Sequence, residues 1–340
     1  MAEPVLEIAF TPVLDPDALG RDWRALEDTS EASFFQSWTW TGTLFAERFP
    51  APYLLSARHH KRIVALGLFN TADGVLHLGE SGDRTRDAIY IEHNGFLIAR
   101  DQPPDLRDRL IDHLCRNAAA IKALSGTTRL RLSGIDAPTL FALSRAGLIR
   151  GTPRVDPAWF ADLSPGFMRR RSANTRQMIR QSLRYYEAFG PLTMTRAQTT
   201  AEADHFLSEL IRLHQAYWTG RGKPGAFADP FQERFHRALI QTGLPRREID
   251  LIRVSTPGKP VGILYNFRHH GRVLSYQSGF HHDDPDRRQR PGIAAHVTAI
   301  EAGSAAGDHT YDFLAGDADY KRSLSDSYRV MAWCQADLAR

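Results

Sequence analysis

Short apolar blocks separated by polar turns run along most of this chain. In the first half Leu6–Phe10, Tyr53–Ala57, Arg62–Phe69, Gly74–Leu78 and Arg129–Leu132 read as strands. Two stretches carry helical spacing instead. Ser37–Arg48 holds Trp38, Trp40, Leu44 and Phe45. Pro104–Leu124 sets Leu106, Leu110, Leu114, Ala118 and Ile121 on one face, with Pro104 near its start and Gly126 past its end. The second half predicts helices over Glu202–Trp218 and Phe231–Thr242. Strands follow over Ile249–Val254, Val261–Phe267 and Val273–Phe280, then a helix over Gly292–Ala305 and a strand over Thr310–Leu314.

Both halves therefore follow one order: helix, strand pair, strand, helix, strand. Arg62–Phe69 matches Lys259–Phe267 in pattern, and Leu130–Gly134 matches Tyr311–Gly316. Such a long-period repeat points to two similar α/β domains and not to a solenoid. Pro and Gly cluster between Thr152 and Gly166, which places the junction there. The domains expected are residues 1–160 and 161–340, each a mixed, mostly antiparallel sheet flanked by helices.

Composition narrows the class. With 340 residues, 42% hydrophobic and 24% charged, the chain can bury large cores and is not disordered. Two cysteines, Cys115 and Cys334, build neither a disulfide framework nor a four-thiolate zinc site. No long apolar run predicts a membrane span. The first residues lack a basic-then-apolar leader, so a cytoplasmic location is expected. Fourteen histidines include the pairs His59–His60, His269–His270 and His281–His282, but these fall in polar turns. Neither H-E-x-x-H nor a Cys pair occurs, so no metal is expected. A nucleophile elbow and a P-loop are also absent.

The segment Tyr276–Lys321 carries the most chemistry. A strand ending in Tyr276-Gln277-Ser278-Gly279-Phe280 leads into a polar loop, His281–Arg290, and then a helix opened by Pro291-Gly292. The junction reads Gln289-x-x-Gly292-x-Ala294. A glycine-bearing turn at a helix N-terminus offers unpaired N–H groups and the positive end of the helix dipole, which suits a diphosphate. The next strand ends in Tyr311-Asp312-Phe313-Leu314-Ala315-Gly316, followed by Asp317, Tyr320 and Lys321. In an open sheet such consecutive strand ends meet at one edge, where ligands bind.

This combination resembles the core of the GNAT acyltransferases, and the run from Tyr276 to Lys321 looks like their CelD-like branch, associated with polysaccharide biosynthesis. That branch is similar to the two-domain Fem-type transferases. Leu213-His214, Trp218 and Phe235-His236 extend the resemblance upstream. It implies N-acyl transfer from acetyl-CoA or another acyl-CoA to an amine on a small molecule or glycan precursor. By that resemblance Gln289, Arg290, Gly292, Ile293 and Ala294 would hold the diphosphate. Tyr276, Gln277 and Ser278 would border the pantetheine arm, with a backbone N–H stabilising the oxyanion. Tyr320 would protonate the leaving thiolate. Asp312 or Asp317 would take the acceptor's proton, directly or through water, and Lys321 would stabilise negative charge. Plainer readings stand beside these: a core ring for Tyr320, a helix cap for Asp317, a surface charge for Lys321 and a hydrogen-bonded core histidine for His214.

Acceptor-side candidates are Glu92 and Asn94 in a long loop of the first half, and His214 and Trp218 on a shared helix face. Between Leu163 and Tyr186 lie six arginines and no acidic residue. Without them the chain holds 37 basic against its 39 acidic residues, so the positive excess is local. Arg176, Arg180 and Arg184 share one helical face and suit a phosphate-bearing partner. The alternatives are a Fem-type transferase that takes its group from aminoacyl-tRNA, which would bind RNA through this face, and a non-catalytic binding protein of the same fold.

Overall fold

The computed structural model describes residues 6–283 and 286–339; Asp284 and Pro285 of the polar loop lie outside the described residues. The strands are β1 Leu6–Pro12, β2 Pro52–His59, β3 Arg62–Ala72, β4 Val75–Leu78, β5 Leu97–Ile98, β6 Arg129–Asp136 and β7 Ile149–Asp162, then β8 Thr193–Arg196, β9 Ile249–Thr256, β10 Lys259–His269, β11 Arg272–Phe280, β12 Thr310–Ala315 and β13 Ser327–Asp337. The chain divides into two compact units, Met1–Asp156 with Val330–Arg340, and Pro157–Arg329.

In the first unit the strand order is β1-β2-β3-β4-β6-β13. Every neighbouring pair is antiparallel except β4 and β6, which are parallel over Leu76–Leu78 and Leu130–Leu132. The short β5 pairs β3. Phe10, Trp23, Leu66, Phe69, Leu110, Leu132 and Leu338 belong to one core. The second unit repeats this order as β8-β9-β10-β11-β12-β7. Here the parallel pair is β11 and β12, over Arg272–Leu274 and Thr310–Asp312, and the other pairs are antiparallel. The matched sequence blocks fall on equivalent strands: β3 with β10, and β6 with β12. In each unit the last strand comes from elsewhere in the chain, β13 for the first and the end of β7 for the second.

Helices cover both faces of the second unit's sheet. Ala173–Glu187 and Pro291–Ala305 share a core with Leu264, Val273, Tyr311 and Phe313. On the other face lie Thr200–Thr219 and Pro230–Gly243, whose His236 meets the rings of Tyr265 and Tyr276. Gly279 permits the close approach of Thr200–Thr219, since a Cβ there would sit 2.6 Å from the Leu210 carbonyl oxygen.

Two sequence expectations change. Pro104–Leu124 is two helices, Leu106–Arg116 and Ala118–Ser125, interrupted at Asn117, which bonds back to the His113 carbonyl. Ser37–Arg48 also divides, into Trp38–Gly42 and Phe45–Arg48, because Leu44 takes a left-handed φ of 50°. The Pro- and Gly-bearing stretch at the junction is mostly β7, with Pro153 and Pro157 inside the strand, and the two units divide within it between Asp156 and Pro157.

Candidate active site

The second unit's sheet opens beyond Leu274. Antiparallel pairing holds β11 to β10 as far as Phe280, but the parallel pairing with β12 stops at Leu274 and Asp312. A bulge in β11 at Tyr276, where the register shifts, marks the same place. Ser275–Phe280 thus has one edge with no strand partner among the described residues.

What turns β12 away is visible in its side chains. Its register against β7 shifts between Asp312 and Ala315, and Leu314 adopts φ 62°, strained for a branched residue. Two residues hold this bend. Asp312 is fully buried and its Oδ1 accepts the Leu314 N–H at 2.8 Å. Its Oδ2 faces Arg272 at 3.3 Å and Arg329 at 3.5 Å. Lys321 Nζ donates to the Ala315 carbonyl at 2.6 Å and the Leu314 carbonyl at 3.3 Å. Both candidates thereby brace the backbone, and the arginines that balance Asp312 were not singled out in sequence. Asp317 accepts from Trp159 Nε1 and pairs with Arg322.

Tyr320 stacks on His296 with centroids 5.5 Å apart and planes 13° apart. The residue is 39% exposed, yet desolvation of its hydroxyl pushes the pKa up to about 12. His296 bonds through Nδ1 to the Tyr311 hydroxyl at 2.9 Å, and burial drives its pKa down to about 3, so the ring is neutral. Ser275 in turn bonds to the Tyr311 hydroxyl. Contacts therefore run from the open edge of β11 through Tyr311 and His296 to Tyr320. His296 was missed in sequence because it lies among apolar residues of the helix Pro291–Ala305.

That helix begins beside the opening. Its N-cap, Arg290, supplies no side-chain cap, and Pro291 stands at the first helical position. The first backbone bond inside the helix is Ala294 N–H to Arg290 O, which leaves the Gly292 and Ile293 N–H groups directed outward. A Cβ on Gly292 would sit 3.3 Å from Phe280, so glycine keeps this approach narrow. Ala294 is fully buried and Ile293 nearly so. Gln289 donates to Asp283, whereas Arg290 has no carboxylate partner among the described residues.

The arginine helix packs against this one, and Ser182 Oγ donates to the Arg290 carbonyl at 2.9 Å. Arg180 and Arg184 are exposed with no carboxylate partner among the described residues. Arg176 bonds to the Arg171 carbonyl. Arg170 and Arg171 both pair with Asp326 and serve the fold.

Across the sheet, His214 Nδ1 donates to the Ser278 carbonyl at 3.1 Å and Nε2 accepts the Ala226 N–H at 3.2 Å. Both ring nitrogens are used, which ties the loop after Thr219 to β11, and burial lowers the His214 pKa. Trp218 packs beside His214, with Lys223 Nζ 5.2 Å above its ring. Tyr276 bonds to His236 Nε2 at 3.1 Å, and burial holds His236 near 3. Gln277 and Ser278 pair with Tyr265 and Leu264 in the ladder.

The equivalent opening of the first unit is filled. Past Leu78 and Leu132, Asn94 bridges the two strands: its Nδ2 donates to the Leu78 carbonyl at 2.8 Å and the Ser133 carbonyl at 3.1 Å, and its N–H to the Gly134 carbonyl. Gly134, at φ 65°, lets the loop in, since a Cβ would meet Ile91 O at 2.8 Å. Asn94 is thus a splint inside its own unit, and Glu92 is half-buried beside it.

Residues 173–322 match the family model described as an acetyltransferase (GNAT) domain. This match lies within the second unit and identifies it as an acyltransferase domain. A search of curated proteins finds no match. Similar solved structures include FemX, with a TM-score of 0.62 at 10% identity over 92% of this chain and 95% of that one. L-PGS from Bacillus licheniformis gives 0.57 at 12%, over 96% and 93%. A tandem GNAT protein from the clavulanic acid biosynthesis pathway gives 0.51 at 13%, over 98% and 99%. At such identities the likeness is one of fold, two GNAT-like units in tandem.

Proposed function

We propose that this acyltransferase moves an acyl group, acetyl in the simplest case, from a coenzyme A thioester to an amine, and that the second unit alone holds the thioester. One observation carries this reading: the unpaired edge of β11 ends beside an uncapped helix N-terminus in the matched unit, while the same opening in the first unit is closed by Asn94.

The diphosphate accepts the outward N–H groups of Gly292 and Ile293, with the helix dipole and Arg290 adding positive potential. The pantetheine arm extends β11 along Ser275–Gly279 through backbone hydrogen bonds. A backbone N–H of that edge faces the thioester oxygen and stabilises it as charge develops. The acceptor nitrogen attacks the carbonyl carbon, the C–S bond breaks, and the sulfur takes a proton. Tyr320 supplies that proton: like any phenol it is protonated at neutral pH, and its stack on the neutral His296 fixes its position. The proton lost by the amine passes to water. Asp312 and Lys321 act as positioning residues that hold β12 away from β11. Trp218 and the loop tied down by His214 border the acceptor side. A CelD-like role would make that acceptor an amino group on a glycan precursor.

Exposed Arg180 and Arg184 favour one further reading, a donor carried on RNA as in Fem-type transfer. Calorimetric titration with CoA, acetyl-CoA and aminoacyl-tRNA separates the two. Acyl transfer from CoA requires CoA binding; tRNA binding with no CoA binding would replace that reading.

A further inference from the structure

The first unit holds a polar cluster that acyl transfer does not use. A ring nitrogen of His77 on β4, a carboxylate oxygen of Glu80 just past the strand and one of Asp87 lie within 4.8 Å of one another. His77 and Glu80 are each only 8% exposed, and Asp87 is half-buried. The cluster is firmly built. Asp87 Oδ1 accepts the Ser81 N–H and hydroxyl, both at 2.8 Å, and Oδ2 accepts the Gly82 N–H at 2.8 Å. Glu80 Oε2 accepts the Ser133 hydroxyl at 2.7 Å, and Arg131 approaches it from the rim at 4.0 Å.

The imidazole supplies the independent clue. His77 Nδ1 is buried with no hydrogen-bond partner among the described residues. The ring's backbone hydrogen bond goes to Ala72, which leaves that bond to Nε2. Gly82, at φ 86°, closes over the same edge: a Cβ there would sit 2.9 Å from Nε2. An imidazole whose one nitrogen donates to a carbonyl presents a fixed lone pair at the other, the usual second shell of a metal-bound histidine. A buried lone pair beside two carboxylates, with neither hydrogen nor cation to meet it, is costly. One imidazole nitrogen with two carboxylate oxygens suits zinc and its first-row neighbours; magnesium and calcium prefer oxygen throughout.

We propose that His77, Glu80 and Asp87 form a divalent-metal site of the zinc class in the first unit. The ion would pin the turns after Gly79 onto β4 and so hold in place the loop that ends in the Asn94 splint. Its role is structural and separate from acyl transfer. The sequence concealed it, because a spacing of H-x2-E-x6-D is no standard metal motif and Asp87 arrives by a turn.

Chelator-stripped full-length protein titrated calorimetrically with Zn2+, and separately with Mg2+ and Ca2+, tests the proposal. One Zn2+ per chain is expected, with a higher melting temperature when bound. His77→Ala should weaken binding by more than the roughly 10–100-fold that second-shell losses cost. Glu80→Gln keeps the side-chain shape and serves equally if His77→Ala does not fold. His60→Ala, in a surface turn, should leave binding unchanged. No Zn2+ binding, or binding that survives both His77→Ala and Glu80→Gln, overturns the proposal.

Discussion

Tyr320 carries its proton well beyond neutral pH, and its surroundings hold it more firmly still. Desolvation lifts the phenol to about 12, and the flat stack on His296 holds it against the second turn of the helix Pro291–Ala305. Tyr320→Phe retains the stack and removes only the hydroxyl. Steady-state kinetics should show kcat reduced roughly 100-fold with CoA affinity unchanged. The wild-type rate should also show no loss from phenol ionisation between neutral pH and pH 9. The buried histidines set a different pH dependence. His236 and His296 have pKa values near 3 in the folded protein against an ordinary 6.5. The unfolded chain binds more protons between those values, so stability falls as pH drops from about 6.5 toward 3. Thermal melts across that range should show the decline, and unfolding should take up protons. Tyr320 was legible as a candidate only through the resemblance to the GNAT acyltransferases, after the strand, glycine and aspartate that carry it. His296 was not, because a buried histidine on an apolar helix face carries no motif.

At the scale of elements, the opening in the sheet depends on the bend of β12. Asp312 alternates with Tyr311 and Phe313 along β12, so its side chain leaves the strand on the opposite face. What alternation does not report is that its carboxylate braces the Leu314 N–H and balances Arg272 and Arg329. Asp312→Asn should therefore cost about 2 kcal/mol of stability, measured by denaturant unfolding, because it leaves two arginines without their buried carboxylate. A lost rate with unaltered stability would instead return Asp312 to the role of base. The arginine helix makes a second prediction. Arg180 and Arg184 are exposed with no carboxylate partner among the described residues, so replacing both with alanine should spare the melting temperature. It should weaken CoA binding severalfold, with a flatter dependence on salt. The interrupted helix at Asn117 and the prolines inside β7 were hidden for a common reason. Tertiary pairing overrides local preference, and Pro153 and Pro157 lie within a strand despite the turn-prone residues around them.

The whole molecule repeats one strand order twice, and the two copies differ at the opening where we propose the thioester binds. Pattern matching found the repeat through β3 and β10, and through β6 and β12, because buried central strands keep their apolar runs. It did not find the closing strands. β13 is polar over Ser327–Arg329, and its partner β6 lies far back in the chain. Met331, Ala332, Cys334, Ala336 and Leu338 are nonetheless buried, most of them in the core of the first unit. Truncation after Arg329 should unfold that unit, visible as a lost or lowered transition in calorimetry. The asymmetry between openings could not be read from sequence either, since Asn94-Gly95 has the look of an ordinary turn. It becomes meaningful only when Asn94 is seen joining Leu78 to Ser133. The most direct test of the account is calorimetric titration of the intact chain with CoA and acetyl-CoA, alongside Gly292→Val and Asn94→Ala. The account predicts one molecule bound per chain, binding lost in Gly292→Val and retained in Asn94→Ala. No binding of either thiol or thioester, or binding indifferent to Gly292→Val, would contradict it.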